Sequence, residues 1–247
     1  MTEPLPITIG DIQGTEMLRS QTFHFFGTAE YIKEQVADIS RLRDNASPHA
    51  AGLGRPFIIW EPQAKSCLPE TLDDHLLAAR YVDVFSPNHE ELAAFWEESD
   101  DASADSCEEF DKHLVENRAD QFLQAGIGSL GTGCIVVRAA GYGCMVLSGG
   151  VDNPICQWLP SFYASDSHMV VDATGAGNAF LGAFAIGWQE TGSYVEAAKY
   201  GQVAASFVIE GVGLPVRFLH GERELWNHCS VRQRLAEYQA RFDRQRS

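Results

Sequence analysis

The chain has 247 residues, enough for one large α/β domain with a sizeable core. Its 34 acidic against 18 basic residues give a formal net charge of -16, which repels nucleic acid and anionic membranes and excludes a general affinity for either. An anionic ligand must therefore be held by local features and not by the overall field.

Residues 1–20 mix prolines with isolated apolar positions and read as an irregular N-terminal segment, in which Ile7-Thr8-Ile9 alone alternates like a strand. The first six residues carry no basic region and no apolar stretch of signal or membrane-span length, which leads us to expect a cytoplasmic protein. Phe23–Gly27 is a short apolar run ended by glycine and predicts a buried strand. Ile32, Val36 and Ile39 then stand at helical spacing in a helix over 29–42. His24, inside the aromatic run, reads as a core histidine before it reads as a catalytic one. Arg55–Pro62 predicts a second strand, stopped by its proline, and residues 72–79 a helix. Val82–Phe85 predicts a third strand, broken at Pro87, before a helix that Asn88 caps. Asn88 and Glu91 are three apart and share a helix face at the carboxyl end of a strand, which ordinary capping explains equally well. This alternation of strands and helices favours a parallel sheet.

Residues 97–111 hold eight acids among few apolar residues and read as a solvated acidic insertion, since a calcium loop would need spaced ligands and a turn glycine. Gly126–Gly131 fits G-x-G-x-x-G, but a helical stretch precedes it and the strand Cys134–Arg138 follows. That order is the reverse of a dinucleotide fingerprint, so it reads as a helix stop and turn. Arg138–Val146 turns one strand into the next, and Gly143 permits close backbone approach. An Ala-rich helix over 195–209 ends in a Gly turn at Gly211 and Gly213, and residues 222–247 predict a C-terminal helix. The cysteines Cys67, Cys107, Cys134, Cys144, Cys156 and Cys229 are scattered, without C-x-x-C pairs or metal spacing, and read as reduced thiols.

The stretch that organises the chain is Val170–Phe184. Two β-branched residues lead to Asp172, then come Thr174, Gly175, Ala176, Gly177 and Asn178, and then an apolar run without a breaker. It predicts a strand, a tight turn and a helix whose first amides lack partners and carry the positive dipole end, a turn built for an anion.

Asp172-Ala173-Thr174-Gly175-Ala176-Gly177-Asn178 resembles the second signature of the PfkB, or ribokinase-like, carbohydrate kinases, in which an aspartate takes the last position as catalytic base. From about residue 20 to residue 215 the order of elements is similar to that family. The resemblance implies a three-layer ribokinase-like α/β fold with a mostly parallel central sheet, ATP, Mg²⁺ and K⁺ as cofactors, and phosphoryl transfer to a sugar or nucleoside-like hydroxyl. It also implies that Gly175, Ala176 and Gly177 form an anion hole beside Asn178 at the base position, and that Asn88 and Glu91 organise Mg²⁺ and phosphate. Gly141 and Gly143 would approach the nucleotide phosphates, Gly213 would flank the adenine, and Asp172 with Thr174 resembles a monovalent-cation site. The chain departs from the pattern at Asn178, in lacking the usual first Gly and preceding Thr in the strand-turn-strand over Arg138–Val146, and in showing no Gly-Gly segment for the family's N-terminal lid. Trp60-Glu61-Pro62 and the Gly-Ala-Gly-Asn turn are most similar to the divergent fungal members named for maintenance of the killer phenotype. Two functions follow as expectations, an ATP-dependent kinase impaired at Asn178 and a non-catalytic nucleotide-binding scaffold. The expected partners are a nucleotide, a sugar-like molecule, and a homodimer mate or second chain that supplies a lid.

Overall fold

A computed structural model describes residues 7–44, 54–96, 110–149, 154–164, 166–221 and 223–246. Cys107 and positions 97–109 of the expected acidic insertion lie outside them. Six strands form the central sheet in sequence order: β1 (Thr22–Gly27), β2 (Phe57–Pro62), β3 (Val84–Phe85), β4 (Cys134–Arg138), β5 (Cys144–Ser148) and β6 (Ile155–Leu159). The pairs from β1 to β4 are parallel, whereas β4–β5 and β5–β6 are antiparallel, so β5 alone runs against the other strands. The reason is length: residues 139–143 between β4 and β5 suffice for a hairpin turn and not for a crossover.

Side chains alternate across this sheet and sort the helices into two outer layers. Ile58, Trp60, Ile135 and Val137 face one core with residues of α1 (Ala29–Asp44), α2 (Leu72–Ala79), α3 (His89–Ala94) and α4 (Lys112–Ala125). Ile59, Val84, Cys134 and Val136 face the other, with α5 (Ala176–Thr191), α6 (Tyr194–Val208) and α7 (Val231–Arg246). Burial on both faces is why Cys134-Ile135-Val136-Val137 reads as an unbroken apolar run and not as an alternating one. Gly126, at φ 93°, ends α4 with its amide on Phe122 and Leu123 carbonyls. The described cysteines are free thiols. Among the described residues no helix is long and apolar enough to cross a membrane.

Three sequence expectations give way here. Ile7–Ile9 is not a strand: the Thr8 amide and hydroxyl both donate to Asp11 Oδ2, at 2.8 and 2.7 Å, and start a 3₁₀ turn over Ile9–Ile12. Val170-Val171 do not join the sheet, because the Val171 amide (2.7 Å) and the Asp172 amide (3.3 Å) both donate to the Ile209 carbonyl just past α6. The signature turn is therefore fastened to a helix end. The helix expected over 222–247 begins only at Val231. Arg217–His220 (β7) and Arg223–Trp226 (β8) form a hairpin before it, and Asn227 (φ 45°) and His228 (φ 64°) take left-handed conformations that a helix cannot contain.

The β4–β5 turn depends on Gly143, at φ 93° and ψ -131°, where an added β-carbon would overlap the Leu159 carbonyl oxygen. Gly143→Ala should destabilise the fold by at least about 2 kcal/mol. Urea unfolding would read this as a lower midpoint, and an unchanged midpoint would contradict this turn geometry.

Candidate functional site

The carboxyl ends of parallel strands are where an α/β sheet gathers ligands, and here they gather charge. Glu61 lies near the end of β2, Arg138 closes β4, and Asn88 starts α3 just past β3. An isolated parallel bridge joins Asn88 to Arg138, whose amide donates to the Pro87 carbonyl at 3.1 Å. Asn88 and Glu91 form a reciprocal capping box. The Glu91 amide donates to Asn88 Oδ1 and the Asn88 amide to Glu91 Oε2, each at 2.7 Å.

Arg138 sits between the two carboxylates. Its Nη2 lies 2.8 Å from Glu61 Oε1 and 3.5 Å from Glu91 Oε2, and donates to the Ser86 carbonyl at 3.0 Å. The other oxygen of Glu61 meets His24 Nε2 at 3.1 Å. Burial raises the Glu61 carboxyl, but the His24 hydrogen bond and the nearby Arg138 charge outweigh it and hold the group below its ordinary value. Glu91 moves the other way. Burial raises it, the Asn88 amide and Arg138 lower it, and the neighbouring Glu61 and Glu90 raise it again.

Facing this cluster is the start of α5. Gly175 is its N-cap, in the left-handed region at φ 84° and ψ -7°, and the Thr174 amide donates to Asp172 Oδ1 at 2.9 Å. The Ala176 amide is used on the Ala173 carbonyl at 3.1 Å, while the amides of Gly177 and Asn178 have no intrahelical acceptor and carry the positive helix end. Gly177 comes so close to the strand ends that an added β-carbon would overlap Arg138 Nη1 and lie 3.7 Å from Glu61 Oε1.

Between the α5 start and the β4–β5 turn lies a cavity of about 420 Å³. Arg138, Asn88, Ala176 and Gly177 stand at one end, Gly141 and Gly143 form an edge, and Phe162, Tyr163, Val170 and Ile209 supply apolar wall. A roomy, largely apolar slot with a few polar groups is the form that small-molecule sites in general take. Its outer wall is fastened from below: the Tyr163 hydroxyl donates to Glu210 Oε1, which Arg234 Nη1 of α7 also holds at 2.6 Å. Burial and that hydrogen bond push the Tyr163 phenol up to about 12.

The structure thus brings together Asn88, Gly141, Gly143, Ala176 and Gly177 around one cavity. Glu91 touches it through Arg138, and Gly175, Asp172 and Thr174 shape the turn behind it. Asn178 is exposed on the first turn of α5, and Gly213 stands between the exposed Val212 and Leu214, outside the cavity wall. Asn88 and Glu91 fit a directly bound dication poorly, since each is committed to the capping box and Glu91 also faces a guanidinium. Among the described residues no group of three or more His, Cys, Asp or Glu side chains is placed to hold a metal ion. Sequence reasoning missed Arg138, Glu61 and the part played by His24. The available signal was a charged residue at the close of each buried strand run, Trp60-Glu61-Pro62 and Val136-Val137-Arg138.

A sequence model of the pfkB family carbohydrate kinases matches residues 59–215. An uncharacterized protein of Schizosaccharomyces pombe is 32% identical to this chain, the match covering 96% of the chain and 64% of that protein. Protein MAK32 of Saccharomyces cerevisiae is 25% identical over 87% of the chain and 56% of its own length. The chain therefore spans about three fifths of the length of these relatives. Among solved structures, Escherichia coli phosphofructokinase-2 in complex with potassium superposes with a TM-score of 0.58 at 14% identity, over 94% of this chain and 63% of its own. Arabidopsis thaliana ribokinase complexed with ribose and ATP gives 0.55 at 16% identity, over 95% and 60%. At such identities the likeness is one of fold, a ribokinase-like sheet between helical layers.

The Glu61 carboxyl titrates below its ordinary value of 4.5 in the folded protein, so its stabilising contribution is complete above that value and is lost as pH falls through the lower folded one. Glu61→Gln should lower the melting temperature most at pH 7, and the gap to the unmodified protein should narrow as pH falls toward about 3. A gap that stays constant with pH would remove the charged form of Glu61 from this account.

Proposed function

Because this chain belongs to the pfkB family of carbohydrate kinases, we propose that the cavity beside Arg138 and Gly177 takes the phosphates and base of ATP, and that the protein is a kinase whose phosphotransfer is slowed at Asn178. The observation that carries the reading is that the α5 start and Arg138 line one cavity, where Gly177 lies directly against the guanidinium. Membership of a kinase family implies ATP used with a metal. Mg²⁺ and K⁺ are the ions this reading proposes, and the engagement of Asn88 and Glu91 leaves the chain's own donors to define where phosphate sits. When bound, ATP supplies the phosphoryl group. The amides of Gly177 and Asn178 and the Arg138 guanidinium bind and orient its oxygens, and the apolar wall at Phe162, Val170 and Ile209 excludes water around the base. The acceptor is a sugar or nucleoside-like alcohol, and the setting is the cytoplasm.

A second reading, a scaffold that binds nucleotide without turnover, is favoured by Asn178. A carboxamide cannot accept the proton of an attacking hydroxyl, and losing a general base costs about 10²–10⁴ in rate. Positioning and electrostatics supply most of phosphoryl transfer, so residual turnover is compatible with the first reading.

Millimolar ATP should raise the melting temperature of the unmodified protein by a few degrees, roughly 2–8 °C at saturating ligand. Gly177→Val should abolish the shift, because its side chain would displace Arg138 and fill the phosphate position. No shift in the unmodified protein would sink the nucleotide reading. Asn178→Asp restores a carboxylate at the base position, and ATP consumption against a pool of sugars and nucleosides then separates the two functions. A rise of about 10²-fold would favour the kinase, and turnover at background with ATP still bound the scaffold, which is the outcome we expect.

A further inference from the structure

Arg138 does more than close the strand ends. Its Nη2 is occupied by Glu61, Ser86 and Glu91, whereas Nη1 is turned toward Gly177. The Nε is buried and has no hydrogen-bond partner among the described residues. A guanidinium carries five N–H donors in a fixed fork, and a buried donor left unmatched is costly unless a ligand completes it. The side chain is 14% exposed and lines the cavity.

Glu61 and Glu91 both face the guanidinium, Asn88 Oδ1 is taken by the Glu91 amide, and a dication set between the carboxylates would have to expel Arg138 and break the capping box. Guanidinium matches phosphate geometry in two parallel hydrogen bonds and never loses its charge.

We propose that the Arg138 guanidinium is the built-in cation of the phosphate site. It grips an oxygen of a nucleoside polyphosphate against the Gly177 and Asn178 amides, so that nucleotide binds with little dependence on Mg²⁺. Glu61 and Glu91 hold the fork by its Nη2 edge and orient its remaining donors to the ligand. The net charge of -16 works against a metal-free polyanion, but it acts over distances that salt screens, about 8 Å at physiological ionic strength, while the contacts at Gly177 are direct. This inference rests on the nucleotide reading above.

Calorimetric titration of the whole protein with ATP, once in EDTA and once in excess Mg²⁺, tests both and tells them apart. The expected result is two dissociation constants within about threefold, and a loss of at least about tenfold in EDTA for Arg138→Met combined with Glu61→Gln, which avoids stranding Glu61, the carboxylate nearer the guanidinium. Arg138→Lys, which keeps the charge and loses the fork, should fall between. Binding that requires Mg²⁺ would overturn the role of Arg138 and leave the nucleotide reading intact. Absence of binding in both buffers would overturn both. A double variant that is folded by near-ultraviolet circular dichroism and binds ATP in EDTA like the unmodified protein would also overturn it. If the double variant does not fold, the EDTA and Mg²⁺ titrations of the unmodified protein decide.

Discussion

One guanidinium fixes how three strands end. Arg138 is bound to Glu61 of β2, to the Ser86 carbonyl after β3, to Glu91 of α3 and, through its own backbone, to Pro87. Taking such charges out of water costs several kcal/mol per ion, and mutual attraction recovers it only when the geometry is good and the other hydrogen bonds are made. The capping box, the position of Glu61 and the close approach of Gly177 are the terms on which this cation is tolerated. A buried ion cluster of this kind is weak evidence for stability, because well-packed hydrophobic residues often replace one without loss.

The reversal of β5 adds the second half of the site. The hairpin after β4 turns at the same end of the sheet as the carboxyl ends of β2 and β3, and brings Gly141 and Gly143 beside the α5 start. Since β6 runs with β4, its end also arrives there and delivers Ser161, Phe162 and Tyr163 to the cavity. An all-parallel sheet would have sent a crossover helix over this position in place of a tight turn.

Much of this was legible in the sequence where the cause is local. The helix at Leu72–Ala79, the strand at Cys134–Arg138 and the Asn88 cap depend on neighbours a few residues away, and the structure places each where its pattern does. Val170-Val171 misled because β-branched residues suit a strand in general, while here their fate is decided by the Ile209 carbonyl, remote in the chain. The hairpin before α7 was hidden because Val231, Leu235, Tyr238 and Phe242 stand at helical intervals and a helix read back from them runs over Leu225, and periodicity alone cannot weigh the left-handed Asn227 and His228. The seven-residue turn that carries the family resemblance is local and was readable. The ion cluster that faces it joins residues from four elements, and no spacing rule connects His24, Glu61, Glu91 and Arg138.

The fastening of the cavity wall has a consequence for biosynthesis. Tyr163 is held by Glu210, Glu210 by Arg234, and the backbone carbonyls of Pro160, Ser161 and Phe162 accept from Tyr238 and Arg241 of α7. A chain made from its N-terminus can form the sheet, the hairpin turn and the start of α5 while α7 is still inside the ribosome. The wall at residues 160–162 is held by α7 residues translated 78 to 80 positions later. During that interval Phe162 and Tyr163 lack the support that α7 gives them, and a nascent chain stalled late in translation would expose that apolar surface to chaperones.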